Sequence, residues 1–195
     1  VLKDNDTFTL SRYAWEHWDP SGDDGSRPNL KAMLENGIFQ MAPLDHARVR
    51  KLVVSTFSPA GVERRRELIE AVIDDLFDGW QAGQIHDLAT EFSLIAPVSI
   101  IGRLLGIDPS SEEWFASLAS DLAVLTNPAI TDAERDRAEV QLGRFHEVLE
   151  SATSEGIYSE LRSLSDGGER LSRAECFSLV TALMSAGMET TASAI

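Results

Sequence analysis

Apolar residues recur along most of this chain at helical rather than alternating spacing. Residues 45–57 place Val49, Leu52, Val53 and Phe57 three and four apart, which predicts a helix with one inward face. Ser58 then Pro59 predicts the next start, with the hydroxyl as cap and the ring at the first helical position. That helix is expected to reach about Gln81, with Val62, Leu68 or Ile69, Val72, Leu76 and Trp80 inward. Asp87 opens a further helix whose apolar positions are Leu88, Phe92, Ile95, Ile101, Leu104 and Leu105, and Pro97 is expected to bend it. Asp108-Pro109 starts another, running to about Leu125. Thr131 with Glu134, and Ser172 with Glu175, have capping-box spacing. Between the last helices, Ser165-Asp166-Gly167-Gly168 reads as a turn. Near the start, one short helix precedes a long irregular loop, 6–30, rich in Asp, Ser, Gly and Pro and holding Tyr13, Trp15 and Trp18. No strand alternation and no internal repeat is evident, so the pattern predicts an all-α single domain, 1–195.

Composition narrows the function classes. Acidic residues outnumber basic ones 32 to 17, for a formal charge of -15. That excludes an ordinary nucleic-acid binder, which needs a basic footprint. The longest apolar stretch, Phe92 to Leu105, is interrupted by Arg103, so no membrane span is expected. A single cysteine, Cys176, excludes an internal disulfide framework, suits the cytoplasm, and reads as a core residue. His17, His86 and His146 are isolated, without metal-ligand spacing. The chain opens on Val1 and closes at Ile195 inside an apolar helix, so it is expected to be an internal fragment.

Two short runs carry candidate chemistry. The first is Ala186-Gly187-Met188-Glu189-Thr190-Thr191. A mid-helix Gly costs about 1 kcal/mol relative to Ala, and paired Thr residues add a smaller penalty, so something close or bulky is expected beside this helix. Ala182, Leu183, Ala186 and Thr190 share a face, and the Thr190 hydroxyl can bond the Ala186 carbonyl and open the helix locally. Glu189 points about 100° away from Thr190 and can feed protons through water. Close helix–helix packing through Ala186 and Gly187 explains the same pattern. The second run is Leu44-Asp45-His46-Ala47-Arg48-Val49-Arg50-Lys51-Leu52-Val53, where His46 and Arg50, four apart, project together. Such a pair can clamp a carboxylate, or it can be a solvated basic patch.

Both runs resemble the cytochrome P-450 family, the bacterial haem-thiolate monooxygenases. The first is similar to the family's oxygen-activating motif, Ala/Gly-Gly-x-Asp/Glu-Thr-Thr/Ser. The second resembles Asp-Pro-Pro-Glu-His-Thr-Arg-Leu-Arg-Arg-Leu-Val followed by Phe-Thr-Pro, with Ala42-Pro43-Leu44-Asp45 in place of the usual entry and Phe57-Ser58-Pro59 fitting the ending. Asp87-Leu88 through Leu104-Leu105-Gly106-Ile107 is similar to the family's following apolar helix. The resemblance implies the helical portion of that fold, roughly its second to ninth helices, truncated at both ends. Loop 6–30 would lie over the substrate site, and 172–195 would begin the oxygen-activating helix. His46 and Arg50 would bind a propionate of haem b, Ala186 and Gly187 would line the oxygen side, Ala182 and Leu183 would face substrate, and Glu189 with Thr190 would relay protons. The implied parent takes a small apolar substrate, dioxygen, and electrons from a ferredoxin-type or flavoprotein donor, with no nucleic acid and no membrane. The family's haem-ligand cysteine, in its Gly-rich loop, and the Glu-x-x-Arg pair that precedes that loop do not lie within this chain, so no metal ligand is assigned here. Lys51 and Arg64-Arg65-Arg66 are either part of a docking face for that donor or a solvated helix face. A rival reading from another class is a non-catalytic, acidic, all-helical interaction domain.

Overall fold

The computed structural model describes residues 25–107, 112–123, 125, 130–152 and 154–195. Its helices are α1 (Pro28–Glu35), α2 (Pro43–Val53), α3 (Pro59–Glu63), α4 (Arg66–Phe77), α5 (Ile95–Leu105), α6 (Glu112–Ala123), α7 (Asp132–Glu150), α8 (Ile157–Ser163) and α9 (Arg173–Ala194). The helical class expected from the pattern is the class observed. A two-residue antiparallel hairpin, β1 (Ser165–Asp166) with β2 (Glu169–Arg170), surrounds the expected turn. Strands this short fall below any alternation signal. Gly167 and Gly168 both take positive φ, as a tight hairpin turn of this hand requires.

Helix starts with local caps come out where the pattern puts them. Ser58 accepts from the Gly61 amide, and both capping boxes, Thr131 with Glu134 and Ser172 with Glu175, are formed reciprocally. The expected start at Asp108-Pro109 lies outside the described residues. So does most of loop 6–30, although its last residues, from Pro28, already belong to α1.

Three readings are corrected. The helix expected from Pro59 to about Gln81 breaks into α3 and α4 at Arg64 and Arg65. The Arg65 guanidinium turns back onto the Gly61 and Thr56 carbonyls and pairs with Glu160. Val62, expected inward, is exposed; of the alternatives Leu68 or Ile69 it is Ile69 that is half-buried, and Val72 is the buried position of α4. Trp80 lies past the helix end, stacked on the His86 ring at 4.3 Å. Asp87 opens the next helix as expected, its Oδ1 accepting from the Ala89 and Thr90 amides, but the first turn over Ala89–Ser93 is a π-turn. Pro97 sits in the first turn of α5, so the irregularity precedes it. The proline ring crowds the carbonyl four residues earlier, that of Ser93. In the widened turn before it the Leu94 amide bonds the Ala89 carbonyl. Leu88, Leu94 and Ile95 consequently point outward. Gly106 ends α5 with φ of 82°.

Helix α9 is the axis of the fold. It packs most broadly on α5 and also against α1, α6 and α8. Phe115, Phe145 and Phe177 form a ladder through α6, α7 and α9, with ring centroids 5.9 and 5.8 Å apart. Leu105, Leu118, Leu142, Leu149, Leu161 and Met184 close around it. Such buried aromatic and aliphatic area is the main stabilising term in a domain of this size. Helix α1 is bolted at both ends. The Glu139 carboxylate of α7 accepts from the Asn29 and Leu30 amides at 3.1 and 2.8 Å, and the Ser178 hydroxyl of α9 donates to the Met33 carbonyl at 2.8 Å. No helix of the described residues is long and apolar enough to cross a membrane.

Candidate functional site

The first half of the site is α2. Pro43 opens this helix and Val49, Leu52 and Val53 seat it on the core. At 100° per residue, these three define an inward side. Arg48 falls at one border of that side, and His46 and Arg50 fall together at the other, about 160° around the helix from Arg48. The two borders are occupied differently. Arg48 pairs with Glu175 at the start of α9 and donates to the Arg170 carbonyl at 3.4 Å. Lys51, on the same flank, pairs with Asp166 at 2.5 Å, which holds its ammonium above the usual lysine range. His46 is half-buried and Arg50 exposed, and neither side chain has a hydrogen-bond or ion-pair partner among the described residues.

The second half is the later part of α9. Residues Glu175 to Thr181 of α9 are buried all round, whereas Ser185, Ala186, Thr190 and Thr191 are exposed. Ala182, Ala186 and Thr190, four apart, therefore form a strip of small side chains that ends open. Leu183 is half-buried and packs on the core beside it. On the opposite flank Met184 and Met188 are buried. Gly187 belongs to that inner flank: a Cβ built there would meet Ile101 Cδ1 of α5 at 2.7 Å. The close-packing explanation thus accounts for Gly187, while Ala186 and Thr190 look out. The Thr190 hydroxyl donates to the Ala186 carbonyl at 2.5 Å, yet α9 stays α-helical from Arg173 to Ala194. The local opening expected from that bond does not occur. Glu189 lies on the helix, and its side chain is outside what the structure describes.

Among the described residues no bond joins the two halves directly. Their connection runs through Glu175, which precedes the Ala186–Thr190 stretch by about 16–22 Å along the axis at 1.5 Å per residue. A cleft of about 300 Å³ between α2 and the hairpin is lined by Arg48, Lys51, Leu52, Asp166, Gly167 and Glu169, and by none of the expected site residues. The arginine triplet is largely spoken for: Arg65 serves the internal network described above, and Arg66 pairs with Glu63 and Glu70. Cys176 is fully buried, and burial pushes its thiol up to about 11. It is a core residue, as the sequence indicates, and no group of three or more metal-ligating residues occurs among the described residues.

A haem carries two carboxylates on an otherwise apolar disc. The His46–Arg50 border, without a partner among the described residues, and the small-residue strip fit those two aspects, and Cys176 does not fit the iron. The pairing of Arg48 with Glu175 gave no sequence signal, because the two residues are 127 positions apart.

No family model matches the chain. Cytochrome P450 107B1 of Saccharopolyspora erythraea is 30% identical over 172 residues, covering 87% of this chain and 42% of that protein. Epothilone C/D epoxidase of Sorangium cellulosum is 29% identical over 203 residues, covering 98% and 48%. Among solved structures, epothilone D-bound cytochrome P450epoK matches with a TM-score of 0.74 at 27% identity, over 96% of this chain and 49% of that one. The chain spans about half the length of the curated relatives it matches.

Proposed function

We propose that this chain, which belongs to the cytochrome P450 family, forms one side of the haem pocket of a monooxygenase acting on a small apolar organic substrate. The observation that carries the reading is the His46–Arg50 pair. Two donor side chains share one border of α2 without a partner among the described residues, in a chain whose formal charge is -15. Carboxylates are abundant on this protein, and on the other border Arg48 and Lys51 have both found one. A free pair in that setting is suited to an anionic group brought by a ligand.

In this reading His46 and Arg50 hold a propionate of haem b. When bound, haem supplies the redox centre at which dioxygen is activated. Ala182 and Ala186 present methyl groups only, so a flat ring and a small substrate fit beside α9, with Leu183 closing the apolar wall. Gly187 lets α9 sit tightly on Ile101 and keeps Ala186 on the oxygen side. Thr190 holds a proton at Oγ1 over the same strip, and Glu189 delivers protons to it from solvent. The iron's thiolate ligand is not among these residues, because the single cysteine is buried in the core. Loop 6–30 contributes to substrate choice. Electrons come from a ferredoxin-type or flavoprotein donor in the cytoplasm.

This chain by itself lacks the iron ligand and is expected to be inactive, so haemin titrated into the parent protein that the reading implies, followed by its Soret band, tests the clamp. Replacing His46 or Arg50 by Ala removes a hydrogen bond to a charged group, and affinity should fall about ten- to a hundredfold. Unchanged affinity in the double variant refutes the clamp.

A further inference from the structure

Arg48 and Glu175 carry no role in the haem reading above, yet their pairing ties α2 to the start of the helix that carries the other half of the site. Glu175 occupies a crowded position. Its carboxylate accepts from the Ser172 amide at 2.7 Å, closing the capping box of α9, and it also pairs with Arg48 of α2. Its side chain is only 12% exposed, and that of Arg48 26%. Arg48 donates in addition to the last carbonyl of the hairpin, that of Arg170, and Lys51 reaches Asp166 at the hairpin's other strand. The hairpin and the first turn of α9 therefore form a clasp on one border of α2. His46 and Arg50 lie at the other border.

This geometry has a mechanical consequence. Val49, Leu52 and Val53 hold α2 down on the core, but apolar contacts are non-directional. A charge-assisted pair at one border resists rolling of the helix about its axis. Rolling would swing His46 and Arg50, which sit about 160° around from Arg48. We infer that Arg48 and Glu175 are positioning residues that set the rotation of α2 against α9, and so aim the His46–Arg50 pair relative to the Ala186–Thr190 strip. The inference rests on the haem reading above for what is being aimed; the hold on α2 itself does not.

Two measurements separate these. Spin labels at Ala47→Cys and Ser185→Cys, both exposed positions, report the α2–α9 distance distribution, with buried Cys176 left unmodified. Haemin titration reports the pocket. Glu175→Gln is the key variant, since Gln still serves a capping box but loses the charge that Arg48 needs. Glu175→Gln and Arg48→Gln should each broaden the distance distribution. Each should also weaken haemin binding about tenfold, the scale seen when partners of ligating residues are lost. The double variant should be no worse than either single one. Arg48→Lys should keep the narrow distribution. Ser172→Ala, which removes the cap but keeps the Arg48–Glu175 pair, should lower stability and leave the distribution narrow; broadening as large as that of Glu175→Gln overturns the inference. An unchanged distance distribution in Glu175→Gln and Arg48→Gln overturns the inference. So does a broadened distribution with unaltered haemin affinity. If the unaltered parent protein, with its iron ligand present, takes up no haemin while the distances shift, the haem reading fails and the clasp stands.

Discussion

Gly187 has two explanations, room for packing and room for a ligand, and one substitution pair separates them. A Cβ at Gly187 would lie 2.7 Å from Ile101 Cδ1. Carbon atoms in ordinary contact sit about 3.5–4.0 Å apart, so Ile101 must withdraw by about 1 Å. It is 6% exposed and has little space to do so. Overpacking of this kind costs about 1–3 kcal/mol, and the gain in helix preference from Gly to Ala is about 1 kcal/mol. Gly187→Ala should therefore destabilise the chain by about 0–2 kcal/mol, the difference of those ranges. Ile101→Val deletes the offending atom at a cost of about 0.5–1.5 kcal/mol. In the Ile101→Val background the helix preference dominates, and Gly187→Ala should be neutral or stabilising by up to about 1 kcal/mol. The cycle should return a coupling of about 1–3 kcal/mol between the two sites. Urea unfolding followed by far-ultraviolet circular dichroism measures it, provided the four m-values agree. A coupling below about 0.5 kcal/mol, the level of simple additivity, would refute packing as the reason for Gly187.

Three further outcomes follow from the same structure. Tyr158 donates to Glu150 at 2.7 Å, and that bond, more than the nearby Arg162, holds the Glu150 carboxyl below its usual value. Because the folded value is the lower one, this stability is present above the ordinary glutamate range and is lost as pH falls through the folded value. Glu150→Gln should therefore flatten the fall in unfolding free energy on acidification below about pH 4.5, the ordinary carboxylate range; an unchanged acid limb would count against it. Cys176, fully buried with its thiol pushed up to about 11, should resist a thiol reagent at pH 8 in the native state and react on unfolding. Rapid native-state labelling would show that α9 is looser than its packing implies. Glu139→Ala removes the cap of α1 and should cost about 0.5–2 kcal/mol, as loss of other caps does. Amide exchange at Asn29 and Leu30 should rise with it, and unchanged protection there would show that α1 holds without Glu139.

Much of this architecture is local and so was legible in the chain. Ser58, Thr131 with Glu134, and Ser172 with Glu175 announce helix starts because each cap and its amide lie within three residues. Val49, Leu52 and Val53 announce an inward face because helical spacing alone aligns them. The same locality placed His46 beside Arg50 and Ala186 beside Thr190. What the chain left open depends on partners far along it. Helix α1 has no capping residue of its own, since its amides are satisfied by Glu139, 110 positions later. Arg65 interrupts a periodic helix because its guanidinium serves Glu160 and two carbonyls. The π-turn before Pro97 turns apolar residues outward that period alone sends in. Gly187 reads as ligand space until Ile101 is seen against it. Arg48, one of several arginines in a short motif, becomes distinct from Arg50 only when folding brings Glu175 to one border of α2 and leaves the other without a partner among the described residues. Short-range spacing determined which residues share a face; long-range packing of α2, α5 and α9 decided what each face meets, because contact energies depend on distance in space and not on separation in sequence.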